Sequence, residues 1–135
     1  MAETQSAHLT SRLEQDVLVV AFITRQIQDE RTAEAILQNL TALIDQYRAG
    51  KVVIDLQNIK YVSSVAFRPL LNIRRKLQVS GGRLVLCGLS QVVGDVFYTT
   101  RLVSKDGAFA APFELEPDAA AAIARLNSKE PQRNP

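Results

Sequence analysis

Hydrophobic positions along this chain change their period several times, and each change marks an element. Val52–Leu56 is a β-branched apolar run that reads as a strand, and Gln57-Asn58 breaks it. Tyr61-Val62 then leads into the pair Ser63-Ser64. Beyond it, apolar residues fall at Ala66, Leu70, Ile73 and Leu77, a helical spacing closed by Gly81-Gly82. Arg83–Cys87 is strand-like again, so the stretch predicts one right-handed βαβ crossover with a parallel strand pair. The two hydroxyls sit where the first helical turn offers unpaired N–H groups, which makes that junction the candidate site.

The flanking chain fits around this unit. Leu9–Leu13 and Asp16–Thr24 read as two antiparallel strands joined tightly at Glu14–Gln15, and Gln26–Glu30 is a polar loop ending in Asp29. From Thr32, apolar residues at Ala33, Ile36, Leu37, Leu40, Leu43, Ile44 and Tyr47 predict a one-sided helix that Gly50 stops. After Gly88-Leu89, Ser90 is positioned to cap a third helix reaching about Thr100, with Leu89, Val93, Val96, Phe97 and Thr100 turned inward. Ala108–Glu114 reads as a short last strand, at an edge because of Pro112. Pro117 suits the first turn of a final helix from Asp118 to about Leu126. The order ββαβαβαβα predicts a single α/β domain over residues 9–126. Its sheet is mixed and four- to five-stranded, with helices packed mainly on one face, between a flexible start (1–8) and a flexible tail (127–135).

Composition narrows the function by exclusion. In 135 residues there are 16 basic and 14 acidic side chains, a net +2 that gives no reason to expect direct nucleic-acid binding. No apolar run is long enough to span a bilayer, and the N-terminal residues do not form a secretory signal, so the expectation is a cytoplasmic protein that is not integral to a membrane. The single cysteine, Cys87, lies in an apolar strand and reads as a buried, inert thiol. With one histidine, His8, no Ser/His or Cys/His pair and no metal-ligand cluster is expected, and Ser80-Gly81-Gly82-Arg83 lacks the spacing of a phosphate loop. The expectation is a protein that is not an enzyme and needs no cofactor. The oligomeric state stays open, because helix faces and sheet edges both allow dimers.

From Leu9 to Leu126 the chain resembles the STAS domain family, that of the bacterial anti-sigma-factor antagonists. The resemblance rests on VVIDLQNIKYVSS, GGRLVLCGL and QVVGDVFYTTRL. The family pattern has a strand ending in aspartate, an aromatic-aliphatic pair, then Asp-Ser-Ser/Thr-Gly at a helix start, where an anti-sigma kinase phosphorylates the serine after the aspartate. Laid on this chain, the aspartate position is Ser63, the phosphoacceptor is Ser64 (Ser63 being the second choice), the next residue is Val65, and the glycine has become Ala66. The resemblance also implies that the acidic segment IQDERTAEAI puts Asp29 near Ser64. It thus implies an interaction module for a kinase-type anti-sigma factor or another signalling protein, switched by phosphate on Ser64. The alternative is a phosphorylation-independent scaffold in a signalling or membrane-transport assembly.

For the individual residues, plainer readings stand beside these. A phosphate on Ser64 would bring roughly −1.5 to −2 charges to a helix N-terminus that favours anions, whereas Ser63 or Ser64 could equally be an ordinary helix cap. Pro69 would be the fifth helical residue if Ser64 capped the helix, so the first turn is expected to be distorted, or the regular helix to start nearer Phe67. Val65, Phe67 and Val92 would form an apolar contact patch if exposed, and Phe67 is just as well placed for burial. Arg68, Arg74, Arg75 and Lys76, with no acid between Val62 and Gly94, are either a basic face for an acidic partner or a solvated surface. Asp55 either orients a hydroxyl or forms a turn. Asp29 either serves the phosphosite or simply begins a helix. The partner-facing candidates are therefore Asp29, Ser63, Ser64, Val65, Phe67, Arg68 and Val92.

Overall fold

The computed structural model describes residues 4–5, 8–101 and 113–128. Its strands are β1 (Thr4–Gln5), β2 (Leu9–Glu14), β3 (Val17–Phe22), β4 (Gln26–Ile27), β5 (Lys51–Asp55), β6 (Tyr61–Val62), β7 (Arg83–Cys87) and β8 (Glu114–Glu116). The helices are α1 (Glu30–Tyr47), α2 (Phe67–Val79), α3 (Gln91–Thr99) and α4 (Ala119–Leu126), with a 3-10 turn at Ser64–Ala66 leading into α2.

The main sheet runs β1-β2-β3-β5-β7-β8. It opens antiparallel and becomes parallel from β3 onward, with Val20 opposite Ile54 and Ile54 opposite Leu86. The central strands are buried on both faces, which is why they read as continuous apolar runs rather than alternating ones. Leu18, Val20, Phe22, Val52, Ile54, Leu84 and Leu86 join the large core under α1, α2 and α3. Val17, Val19, Val53, Val85 and Cys87 face the other way, where Ala122, Ile123 and Leu126 of α4 cover them. The mixed sheet and the placement of most helices on one face agree with the sequence expectation. Thr4–Gln5, in the segment expected to lie outside the domain, add an edge strand against Thr10 and Ser11.

Several boundaries differ for local reasons. The first hairpin turns at Gln15–Asp16, one residue later than expected, with both residues in left-handed backbone (φ 52° and 69°), the geometry that matches the twist of paired strands. Helix α1 is stopped not by Gly50 but by Arg48 in left-handed conformation (φ 49°), and the Ala49 N–H donates to the Ile44 carbonyl at 3.0 Å. The last strand is Glu114–Glu116; residues 108–112 of the expected strand lie outside the described residues. Pro117 stands before the cap of α4 rather than in its first turn, and Asp118 takes the cap.

Candidate functional site

Two short strands assemble the site away from the main sheet. β4 and β6 pair in parallel, Gln26 opposite Tyr61 and Ile27 opposite Val62. The register is locked by the Lys60 N–H on the Arg25 carbonyl (2.7 Å) and the Ser63 N–H on the Ile27 carbonyl (3.0 Å). Both chains then turn into helices side by side, α1 at Glu30 and the Ser64–Ala66 turn running into α2. The acidic head of α1 and the serine pair are thereby brought to one edge of the molecule. An ion pair confirms the proximity: Arg68 of α2 reaches Glu30 of α1 at 3.3 Å.

The two serines part company here. Ser63 is extended (φ −108°, ψ 177°) in the cap position of the 3-10 turn, and its carbonyl accepts from the Ala66 N–H at 3.0 Å. Its Oγ is buried and has no hydrogen-bond partner among the described residues. Ser64 is exposed. Ser64 is thus the solvent-facing member of the pair, and the Ser63 hydroxyl is withdrawn from solvent. Among the described residues, the head of α2 with its leading turn is also the one helix start without a side-chain cap. Asp29 caps α1 by accepting from Thr32 N–H (3.1 Å), Ser90 caps α3 through Val93 N–H (3.2 Å), and Asp118 caps α4 through Ala121 N–H (2.8 Å). Neither Ser63 nor Ala66 does so for the turn or for α2, and no acidic residue stands in the first turn of either. No side-chain cap and no first-turn acid occupies this dipole end, which favours an anion.

Pro69 explains the distorted start. The 3-10 turn moves the regular helix to Phe67, so Pro69 falls in the first turn of α2, where its missing N–H would have no helical acceptor anyway. The other candidates are distributed as follows. Asp29 is the cap of α1, and the hydrogen bond from Thr32 holds its carboxyl below the usual aspartate range. Val65 is half-buried against the large core. Val92, on the first turn of α3, is 55% exposed. Phe67 corrects an expectation: it is only 7% exposed, its ring set edge to face on Phe97 at 5.0 Å, so it supports the turn from beneath and is not available as a contact residue. Asp55 is a turn former: its Oδ1 accepts from the Gln57 N–H at 2.9 Å.

Sequence reasoning missed two members of this edge. Glu30 neutralises Arg68 across the helix pair, and Tyr61 is 58% exposed beside the serines. Tyr61 belonged to the aromatic-aliphatic pair already noted, but a two-residue strand gives no alternation from which its exposure follows. Elsewhere, burial and the nearby Asp55 and Asp118 charges push the Cys87 thiol up to about 12. Open grooves of about 510 Å³ (Leu89, Ser90, Gly94, Tyr98, Leu115, Glu116) and about 670 Å³ (between the ends of α1 and α2) both lie clear of Ser64. The Ser64 edge thus offers an exposed surface rather than an enclosed pocket. Among the described residues there is no His, Cys, Asp and Glu cluster fit for a metal ion, and no helix is long and apolar enough to cross a membrane.

A parallel-ended mixed sheet, a serine-headed central helix and a small β4–β6 lip define an α/β module, and comparison places it. The STAS domain profile matches residues 12–116, and the chain belongs to that family. BtrV of Bordetella bronchiseptica, named as a candidate anti-sigma factor antagonist, is 32% identical over 78 residues, which is 58% of this chain and 66% of that protein. TM1081 of Thermotoga maritima, likewise a candidate antagonist, superimposes with a TM-score of 0.70 at 17% identity, covering 87% of this chain and 93% of that one. The anti-sigma factor antagonist SpoIIAA, a Bacillus cell fate determinant, is similar in its unphosphorylated form (TM-score 0.68, 18% identity, 87% and 95% covered). Its phosphorylated form is similar as well (0.61, 16%, 88% and 99%). The fold is that of the anti-sigma-factor antagonists.

Proposed function

We propose that this chain is a phosphorylation-switched interaction module that binds a kinase-type anti-sigma factor through the edge around Ser64. The single observation that carries the reading is an exposed Ser64 at the one helix head, among the described residues, that no side chain caps. Unmodified, Ser64 and its exposed neighbours Tyr61 and Val92 form the contact surface, the partner is captured, and a sigma factor is freed. A phosphate on Ser64 is held by the open helix end and lies one turn before Arg68, where it competes with Glu30 for the guanidinium. The added charge and the displaced Glu30 then expel the partner. The domain itself tolerates the phosphate, so the switch needs no unfolding. The nucleotide belongs to the kinase, the chain carries no cofactor of its own, and the module acts in the cytoplasm without catalysis.

One observation favours a constitutive scaffold instead: the residue at the family's aspartate position is Ser63, whose Oγ has no hydrogen-bond partner among the described residues, so a kinase would lose an acidic recognition group. Phosphate transfer decides between the two readings. Incubation with the serine-kinase anti-sigma factor of the same organism and ATP is expected to label the wild type and Ser63→Ala, and not Ser64→Ala. Labelling of none, with partner binding unchanged in Ser64→Glu, would establish the scaffold.

A further inference from the structure

The basic face of α2 is not one surface. Arg68 at its start is paired with Glu30, and Lys76 near its end is paired with Asp45 at 2.9 Å. Arg75 is exposed, as is Arg48 at the end of α1, and neither has an ion pair among the described residues. These two cations line the groove of about 670 Å³ between the C-terminal ends of α1 and α2, together with Asn72, Val79 and Ser80.

At two positions of this groove the fold does not dictate the side chain. Arg48 occupies left-handed backbone (φ 49°), a conformation strained for a side chain with a Cβ, where glycine would carry no steric strain and would also end the helix. The helix dipole favours a cation near a C-terminus, but it does not require one at the strained residue. Val79, the last residue of α2, is 84% exposed, although a β-branched residue gains little in a helix unless it is buried.

We infer that the groove between the ends of α1 and α2 is a second docking site, for an acidic segment of a partner protein that sets an aliphatic side chain on Val79 and carboxylates on Arg48 and Arg75. Charge complementarity selects the occupant. The surface is concave and carries Asp45 in its wall, which suits a peptide with discrete acids and not the uniformly negative plane of a bilayer. The groove lies at the opposite end of α2 from Ser64, so docking here persists whether or not that serine is modified, and the inference does not rest on the phosphoswitch.

The test uses the full chain and a short Glu/Leu peptide, with a Gln/Leu peptide of the same length as control, followed by NMR amide shifts. The expected result is saturable shifts at Ala49, Gly50, Asn72, Val79 and Ser80 with the Glu/Leu peptide alone, weakening as salt is raised. Arg48→Gly, which keeps the left-handed stop, and Arg75→Gln each weaken binding about fivefold; Arg25→Gln leaves it unchanged. Scattered or non-saturable shifts, or binding indifferent to Arg48→Gly and Arg75→Gln, would overturn the site. Arginine-dependent binding to phosphatidylserine vesicles without peptide binding would overturn the choice of occupant.

Discussion

The rings of Phe67 and Phe97 meet edge to face, centroids 5.0 Å apart at 75°, directly beneath the serine turn. Phe67 opens α2 and Phe97 lies in α3, so this contact fixes the head of the serine-bearing helix against its neighbour, and Phe113 extends the stack on the far side at 6.3 Å. Truncating either Phe67 or Phe97 to Ala is expected to cost about 3–5 kcal/mol in denaturant unfolding, while Phe67→Leu, which keeps most of the volume, costs about 1 kcal/mol. A small loss for Phe67→Ala would mean that the turn is not supported from below.

The two kinds of serine cap make opposite predictions. Ser90 accepts the Val93 N–H, so Ser90→Ala should lose about 1 kcal/mol. Ser63 Oγ is buried without a partner among the described residues, so Ser63→Ala should be neutral or stabilising by up to about 1 kcal/mol. Equal destabilisation by the two substitutions in parallel urea titrations would show that Ser63 is a working cap.

Gly88 is held where no other residue fits. Its φ is +75°, and a Cβ there would lie 2.6 Å from Asp55 Oδ1, the oxygen that closes the turn after β5. Gly88→Ala combines backbone strain with this clash and is expected to cost about 2–3 kcal/mol by thermal or chemical denaturation. Pairing it with Asp55→Ala should recover part of that loss, because the clashing atom is removed.

Much of this architecture is legible in the order of residues, and the failures have local causes. The long amphipathic repeat of α1, the double-sided apolar runs of β3, β5 and β7, and the cap at Ser90 are all strong periodic or chemical signals. β4 and β6 are not visible in the sequence, since two residues have no period, yet their pairing sets the segment that enters α1 beside the segment that enters α2. Arg48 as the stop of α1 was hidden by Gly50 two residues later, the residue type that ordinarily takes that role. The serine pair was readable as a junction. That one hydroxyl turns inward and the other outward follows only from the 3-10 turn that Pro69 accommodates.

The Cys87 thiol offers a check on the small core beneath α4. Burial raises it to about 12 from an ordinary 9.0, so the folded protein keeps the proton that the unfolded chain loses. Its contribution is fully present below about pH 9 and is lost as pH rises from there toward 12. Native protein should not react with a thiol reagent at about pH 8, and labelling should appear only with unfolding. Rapid labelling of the native state would show that α4 does not seal that face.

The most direct test of the central claim is phosphopeptide mapping of the protein recovered from its own cells, with Ser64→Ala and Ser63→Ala expressed beside it. The account predicts one added phosphate on the peptide that carries the serine pair, retained in Ser63→Ala and abolished in Ser64→Ala. A phosphate lost only in Ser63→Ala, or none under growth or stress while both variants still bind the partner, would contradict it.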